Sequence, residues 1–269
     1  MRNLKLSILT VFIATVLSTG TAEASEPGNL FRSPEEKKNF ARDMSTLIEN
    51  GWRKWQDKVV VDNIYVDGSR GVLLPGDMRG DVLTIATILD GFDRSGRSQD
   101  YIDCVRAVAG AVENGMRFWQ RGYTNKNIPF PQGASCVYTL PPCYNIPVML
   151  ATGSSEGAQA MKEGSLYNYM LYRVPYMDED ISIVFKGTAS AISECFARWQ
   201  QTCCIKGILA EGGVAPQPAP MGRGPGLVKG AKGNNGKLDG PYFDGTVMYK
   251  RMCEYFDNCG EETVAKAGN

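Results

Sequence analysis

Apolar residues recur at helical spacing along much of the chain. Phe40, Met44, Leu47, Ile48, Trp52 and Trp55 follow one another mostly at steps of three and four, which places them on one face of a helix. Ser33-Pro34-Glu35-Glu36 ahead of them combines a capping box with proline at the first helical position, so the helix is expected to open there and to run to about Gln56. Tryptophans in register with Met and Leu read as core rather than as a ligand platform. Met78, Val82, Ile85, Leu89 and Phe92 predict a second helix, broken at Arg94-Ser95-Gly96-Arg97-Ser98. Tyr101, Val105, Val108, Val112, Met116 and Trp119 predict a third. The break between these two holds Asp90, Asp93 and Asp100, but its glycine is out of register for a calcium loop and no glutamate closes it.

Residues 154–172 read as two short helical pieces separated by Gly164 and dense in tyrosine, with Tyr167, Tyr169 and Tyr172 followed by Tyr176. Asp178-Glu179-Asp180 then opens a helix carrying Ile181, Val184, Ile192, Cys195, Phe196 and Trp199. Acids in a first turn complement the helix dipole. The one strand signal is Val59-Val60-Val61 with Ile64-Tyr65-Val66, then a turn at Asp67–Gly71 and Val72-Leu73-Leu74, a small β-hairpin at about 58–75. The expected fold is mainly α: a disulfide-stapled helical domain over residues 25–210 with that single hairpin.

Residues 122–147 break the pattern. Five prolines crowd there with Phe130, Tyr138 and Tyr144, as in a stiff loop that presents aromatics for recognition. The alternative is a lid whose aromatics face the core. Residues 211–240 hold nine Gly and four Pro without apolar periodicity, the composition of a flexible linker. A short C-terminal helix is expected within 241–260, with Met248, Met252, Tyr255 and Phe256 on one apolar face. On a tether, such a helix suits docking into a partner's groove. Residues 261–269 read as a disordered tail.

Arg2 and Lys5, an apolar run from Leu6 to Leu17 and Ala22-Glu23-Ala24 before Ser25 form a secretory signal peptide over residues 1–24. Cleavage near Ala24 implies a periplasmic or secreted protein, and no other run is long and apolar enough to span a membrane. The chain carries 29 basic and 29 acidic residues. Losing Arg2, Lys5 and Glu23 leaves a net charge of −1, which gives no reason to expect nucleic acid as a partner.

Eight cysteines in an exported chain read as disulfides. Cys136 with Cys143 and Cys253 with Cys259 look like local pairs, and Cys104, Cys195, Cys203 and Cys204 would cross-link helices in a connectivity that spacing leaves open. Without CxxC spacing or any histidine, neither a zinc site nor a redox dithiol is expected, and no cofactor is implied. The lack of histidine also excludes Ser-His-Asp and Cys-His chemistry. The stretch Ala231–Leu238 lacks the hydroxyl residue of a phosphate loop. Only carboxylate chemistry survives: a glycosidase acting on cell-wall polysaccharide could use Asp178, Glu179 or Asp180. The leading expectation is a non-enzymatic component of the bacterial envelope that binds other envelope proteins, such as an accessory subunit of a secretion or conjugation machine. A periplasmic inhibitor or immunity protein is a further alternative.

Overall fold

A computed structural model of the chain describes residues 30–130, 143–174, 176, 178–211 and 227–267. The expected signal peptide lies outside these residues, as do Cys136 and Tyr138.

Among the described residues six α-helices form: α1 (Pro34–Gln56), α2 (Ile85–Ile88), α3 (Gln99–Gly122), α4 (Glu163–Arg173), α5 (Glu179–Thr202) and α6 (Gly245–Ala267). The capping box of α1 is present: the Ser33 hydroxyl accepts the Glu36 N–H at 3.1 Å and the Glu36 carboxylate accepts the Ser33 N–H at 3.3 Å. The helix expected from Met78 shrinks to the single turn of α2. Thr84 is extended and its hydroxyl caps the Thr87 N–H, so the helix starts late. Gly91, at φ 86°, follows it closely.

The mainly-α expectation is overturned by twelve strands in two antiparallel sheets. One sheet runs β4 (Met78–Arg79), β1 (Val60–Val61), β12 (Gly236–Asp239), β9 (Cys204–Lys206), β7 (Val148–Met149). The other runs β6 (Cys143–Tyr144), β10 (Leu209–Glu211), β11 (Leu227–Asn234), β2 (Ile64–Gly68), β3 (Arg70–Leu73), β5 (Tyr123–Pro129), β8 (Ser154–Ser155). The predicted hairpin is present as β2 and β3, but only as part of this larger sheet.

Four bent strands belong to both sheets. β1 continues into β2, β11 into β12, β9 into β10 and β6 into β7. Pairing resumes in the same register beyond each break: Val61 opposes Gly236 and Ile64 opposes Gly233, while Lys206 opposes Lys237 and Leu209 opposes Asn234. The bend is a row of left-handed residues on adjacent strands, Asn63 (φ 58°), Asn235 (φ 63°) and Gly207 (φ 73°). Asparagine and glycine tolerate that conformation best. Side chains span the fold line, with the Asn63 N–H donating to Asn234 Oδ1 and the Asn235 N–H to Asp62 Oδ1.

The second sheet also curls. At 2.8 Å the Ile146 N–H donates to the Pro129 carbonyl, which joins the chain just beyond β6 to the end of β5. Close inward packing needs small residues. A Cβ on Gly71 would lie 2.8 Å from the Phe130 ring, and one on Gly233 would lie 2.6 Å from Ile208. Gly230 and Gly233 both lie in strand β11, although in sequence they look like linker.

Helix α6 packs against α1 and α5, and its Met248, Met252 and Phe256 are buried. Gly187 on α5 makes room, since a Cβ there would lie 2.7 Å from the Tyr255 ring. The expected short tethered helix is thus a long core helix, and its backbone is helical to Ala267, through most of the tail expected to be disordered. All four tryptophans meet at the centre: Trp52 has Trp55, Trp199, Phe196 and Phe243 within 4.7–6.1 Å between ring centroids, and Trp119 stacks edgewise on Trp199. Buried Gln120 accepts the Trp55 indole N–H at 3.0 Å, and buried Gln56 accepts that of Trp199 at 2.8 Å. The indole N–H groups of Trp52 and Trp119 have no partner.

The disulfide staples are corrected as well. Cys104, Cys195, Cys203, Cys204 and Cys253 are free thiols. Cys253 and Cys259 lie six residues apart on the one helix α6, a rise of about 9 Å, beyond the reach of a disulfide. Cys203 and Cys204 are consecutive on extended backbone, so their side chains diverge. No helix of the described residues is long and apolar enough to cross a membrane.

One turn is packed without slack. Gly157 lies against the end of α3, and a Cβ there would fall 2.2 Å from the Phe118 carbonyl oxygen. Because both sides are backbone, Gly157→Ala is expected to cost about 3 kcal/mol, read as a lowered midpoint of urea unfolding.

Candidate functional site

Two of the three acids at the start of α5 have structural partners. Asp178 Oδ1 accepts the Ile181 N–H at 2.7 Å, and Asp180 pairs with Lys37 of α1 at 2.8 Å. None of Asp178, Glu179 and Asp180 lines any of the three grooves described below. The neighbouring tyrosines are also engaged. Tyr167 shares a hydrogen bond with Ser182 at 2.7 Å, and Tyr176 donates to Asp100. Tyr172 is the exception and is almost fully exposed.

Among the described residues, no group of three Cys, Asp or Glu side chains could hold a metal ion. Burial pushes the Cys104, Cys195 and Cys203 thiols up to about 12, with nearby acids adding to the effect. Such thiols stay protonated at neutral pH and are poor nucleophiles.

Of the residues expected to form a binding surface, the structure separates two groups. Met248, Met252 and Phe256 are core, Tyr255 is half-buried against Gly187, and Phe130 is inward-facing against Gly71. Tyr138 lies outside the described residues; among those within them, Tyr144 alone faces outward. It begins a strip continued by Ile146 and Met149, with exposures of 49%, 48% and 46%. The strip runs along β6 and β7, the strands that end the two sheet orders.

Buried Asn145 fixes that strip to the sheets. Its Oδ1 accepts the Ile208 N–H at 2.8 Å, and its Nδ2 donates to the carbonyls of Ile146 and Ile205 at 2.9 Å each. Its own backbone N–H reaches the Ile208 carbonyl at 3.1 Å. A polar side chain therefore faces the interior while apolar Tyr144, Ile146 and Met149 face out. That inversion hides the strip from a reading based on hydrophobic alternation. A visible signal does exist: no charged residue occurs from Asn127 through Ser155.

Grooves among the described residues include three with polar walls. One of about 340 Å³ lies between α5 and the start of α6, with Glu49, Arg198 and Asp244 in its walls. Its acids have duties, since Glu49 pairs with Arg53 and Asp244 caps the Val247 N–H. Another, of about 250 Å³, adjoins Arg97 and Tyr101. There the Arg97 guanidinium and the Tyr101 hydroxyl both bind Asp43, at 2.6 and 2.7 Å. Burial and the Asp43 carboxylate push the Tyr101 phenol far up, so this cluster ties α1 to α3 and holds no proton ready to move. The third, of about 420 Å³, lies between α2, α3 and α4 and is lined by Ile85, Asp103, Arg106, Ala107, Gly110 and Arg173. Comparison of the chain with protein-family models, curated proteins and solved structures finds no match to any of them.

Proposed function

We propose that the chain is an exported, non-enzymatic component of the bacterial envelope that binds another protein through the Tyr144–Ile146–Met149 strip. The N-terminal pattern supports export; with the staples absent among the described cysteines, the export reading rests on that pattern alone. The observation that carries the binding role is the strip itself. Three large apolar side chains lie half-exposed at sheet ends, where natural proteins usually place charge to discourage association. The fitting occupant is an apolar, uncharged ridge or strand of a partner protein, because the strip offers no ionic contact of its own.

Affinity capture from native bacterial envelopes tests this with the triple variant Tyr144→Ser, Ile146→Ser, Met149→Ser. Since the three side chains point outward, the variant is expected to fold and melt as the parent does. Retention of the specific partner should fall at least tenfold, about 1.4 kcal/mol in binding. An unchanged set of retained proteins from a folded variant defeats the proposal.

A further inference from the structure

The geometry points to the groove between α2, α3 and α4 as a binding site for a carboxylate on a small apolar body, held by Arg106 and Arg173. This site is separate from the strip and stands independently of it.

The case begins with what each arginine lacks. Among the described residues Arg106 makes no hydrogen bond or ion pair. Arg173 has one partner, the phenol of Tyr169, to which it donates at 2.5 Å while its guanidinium sits 5.0 Å from the same ring. A phenol fixes the position of the guanidinium without neutralising it. Arginine carries five N–H donors, so most of those on Arg173 remain for a ligand, and their orientation is set in advance.

The rest of the lining fits the body of such a ligand. Ile85, Ala107 and Gly110 supply apolar floor, and a Cβ on Gly110 would come within 3.4 Å of the Tyr169 ring. The one acid, Asp103, accepts a hydrogen bond from Gln99 at 2.8 Å and pairs with neither arginine. Glu113, about three turns farther along α3, is spent on the Ile85 N–H and on Arg117. The groove therefore keeps a net positive charge, and its volume of about 420 Å³ falls in the range of small-ligand sites. A planar carboxylate matches the guanidinium fork, and the apolar floor receives what the carboxylate is attached to.

Titration calorimetry on the full chain separates the outcomes, with N-acetyl-leucine, its amide, and a blocked tripeptide ending in leucine with a free carboxylate as probes. Saturable binding of an acid, but not of the amide, is the expected result. Tighter binding of the tripeptide identifies a peptide C-terminus as the natural source, and tighter binding of N-acetyl-leucine a free organic acid. Arg106→Gln and Arg173→Gln should each weaken binding about tenfold without moving the melting temperature, as both side chains are exposed. Asp103→Asn should tighten it about threefold by removing a repelling charge, a gain that no loss of folding can imitate. Equal binding of acid and amide, no saturable binding of either acid at millimolar concentration, unchanged affinity in both arginine variants, or weaker binding in Asp103→Asn overturns the assignment.

Discussion

Replacing Trp52 with alanine is expected to destabilise the protein by about 4 kcal/mol, a large share of the stability of any ordinary domain. The side chain is fully buried and has four aromatic rings within 6.1 Å, so its removal leaves a cavity that stiff neighbours cannot collapse to fill. A chain of this size should lose about 10 °C in melting temperature. Phenylalanine substitutions provide the sharper test. The Trp52 indole N–H has no partner, and Trp52→Phe loses only volume. Trp199 donates its indole N–H to buried Gln56, and Trp199→Phe leaves that amide oxygen unpaired, at an added cost of about 1–3 kcal/mol. Urea titrations in which Trp199→Phe is no worse than Trp52→Phe would contradict this account of the core.

Asn145→Ala should be nearly as damaging, at about 3 kcal/mol. It strands the Ile208 N–H and the Ile205 carbonyl, both satisfied by the Asn145 amide at a buried site, and a buried polar group left without a partner carries its desolvation penalty in full. The near-isosteric Asn145→Asp keeps the acceptor for Ile208 but sets a carboxylate against the Ile146 and Ile205 carbonyls. That environment favours the protonated acid, so its pKa rises on folding. The sign follows from linkage: relative to the parent, the stability of this variant should be highest below about pH 4, where the carboxyl is protonated in both states, and should fall as pH rises through the raised value. Denaturation midpoints measured across pH, parent against variant, read this directly. A variant that gains stability relative to the parent toward neutral pH would show that the amide does not donate to these carbonyls.

The helices were legible because their signals are local. Ser33 and Glu36 state the start of α1 within four residues, and the apolar stripe from Phe40 to Trp55 states which face is buried. The sheets were not, because their signals are long-range. Strand β11, Leu-Val-Lys-Gly-Ala-Lys-Gly-Asn, has little intrinsic strand preference. Gly233 is small because Ile208 and Ile64 crowd it from neighbouring strands, a reason that no window of sequence contains. The apolar face of α6 is visible in its sequence, but what covers it is not: α1 and α5 of the same chain do. The Arg106–Arg173 groove was invisible for a similar reason, since its two cations come from different helices.

The four bent strands that belong to both sheets bear on how the molecule comes apart. All four pass from one sheet into the other without losing register, three of them through the row of Asn63, Asn235 and Gly207. Neither sheet can release one of these strands without dragging on the ladder of the other. The two layers therefore form one cooperative unit rather than a pair that opens in turn. Residues 227–239, which supply one of the shared strands, are as integral to that unit as residues 60–68.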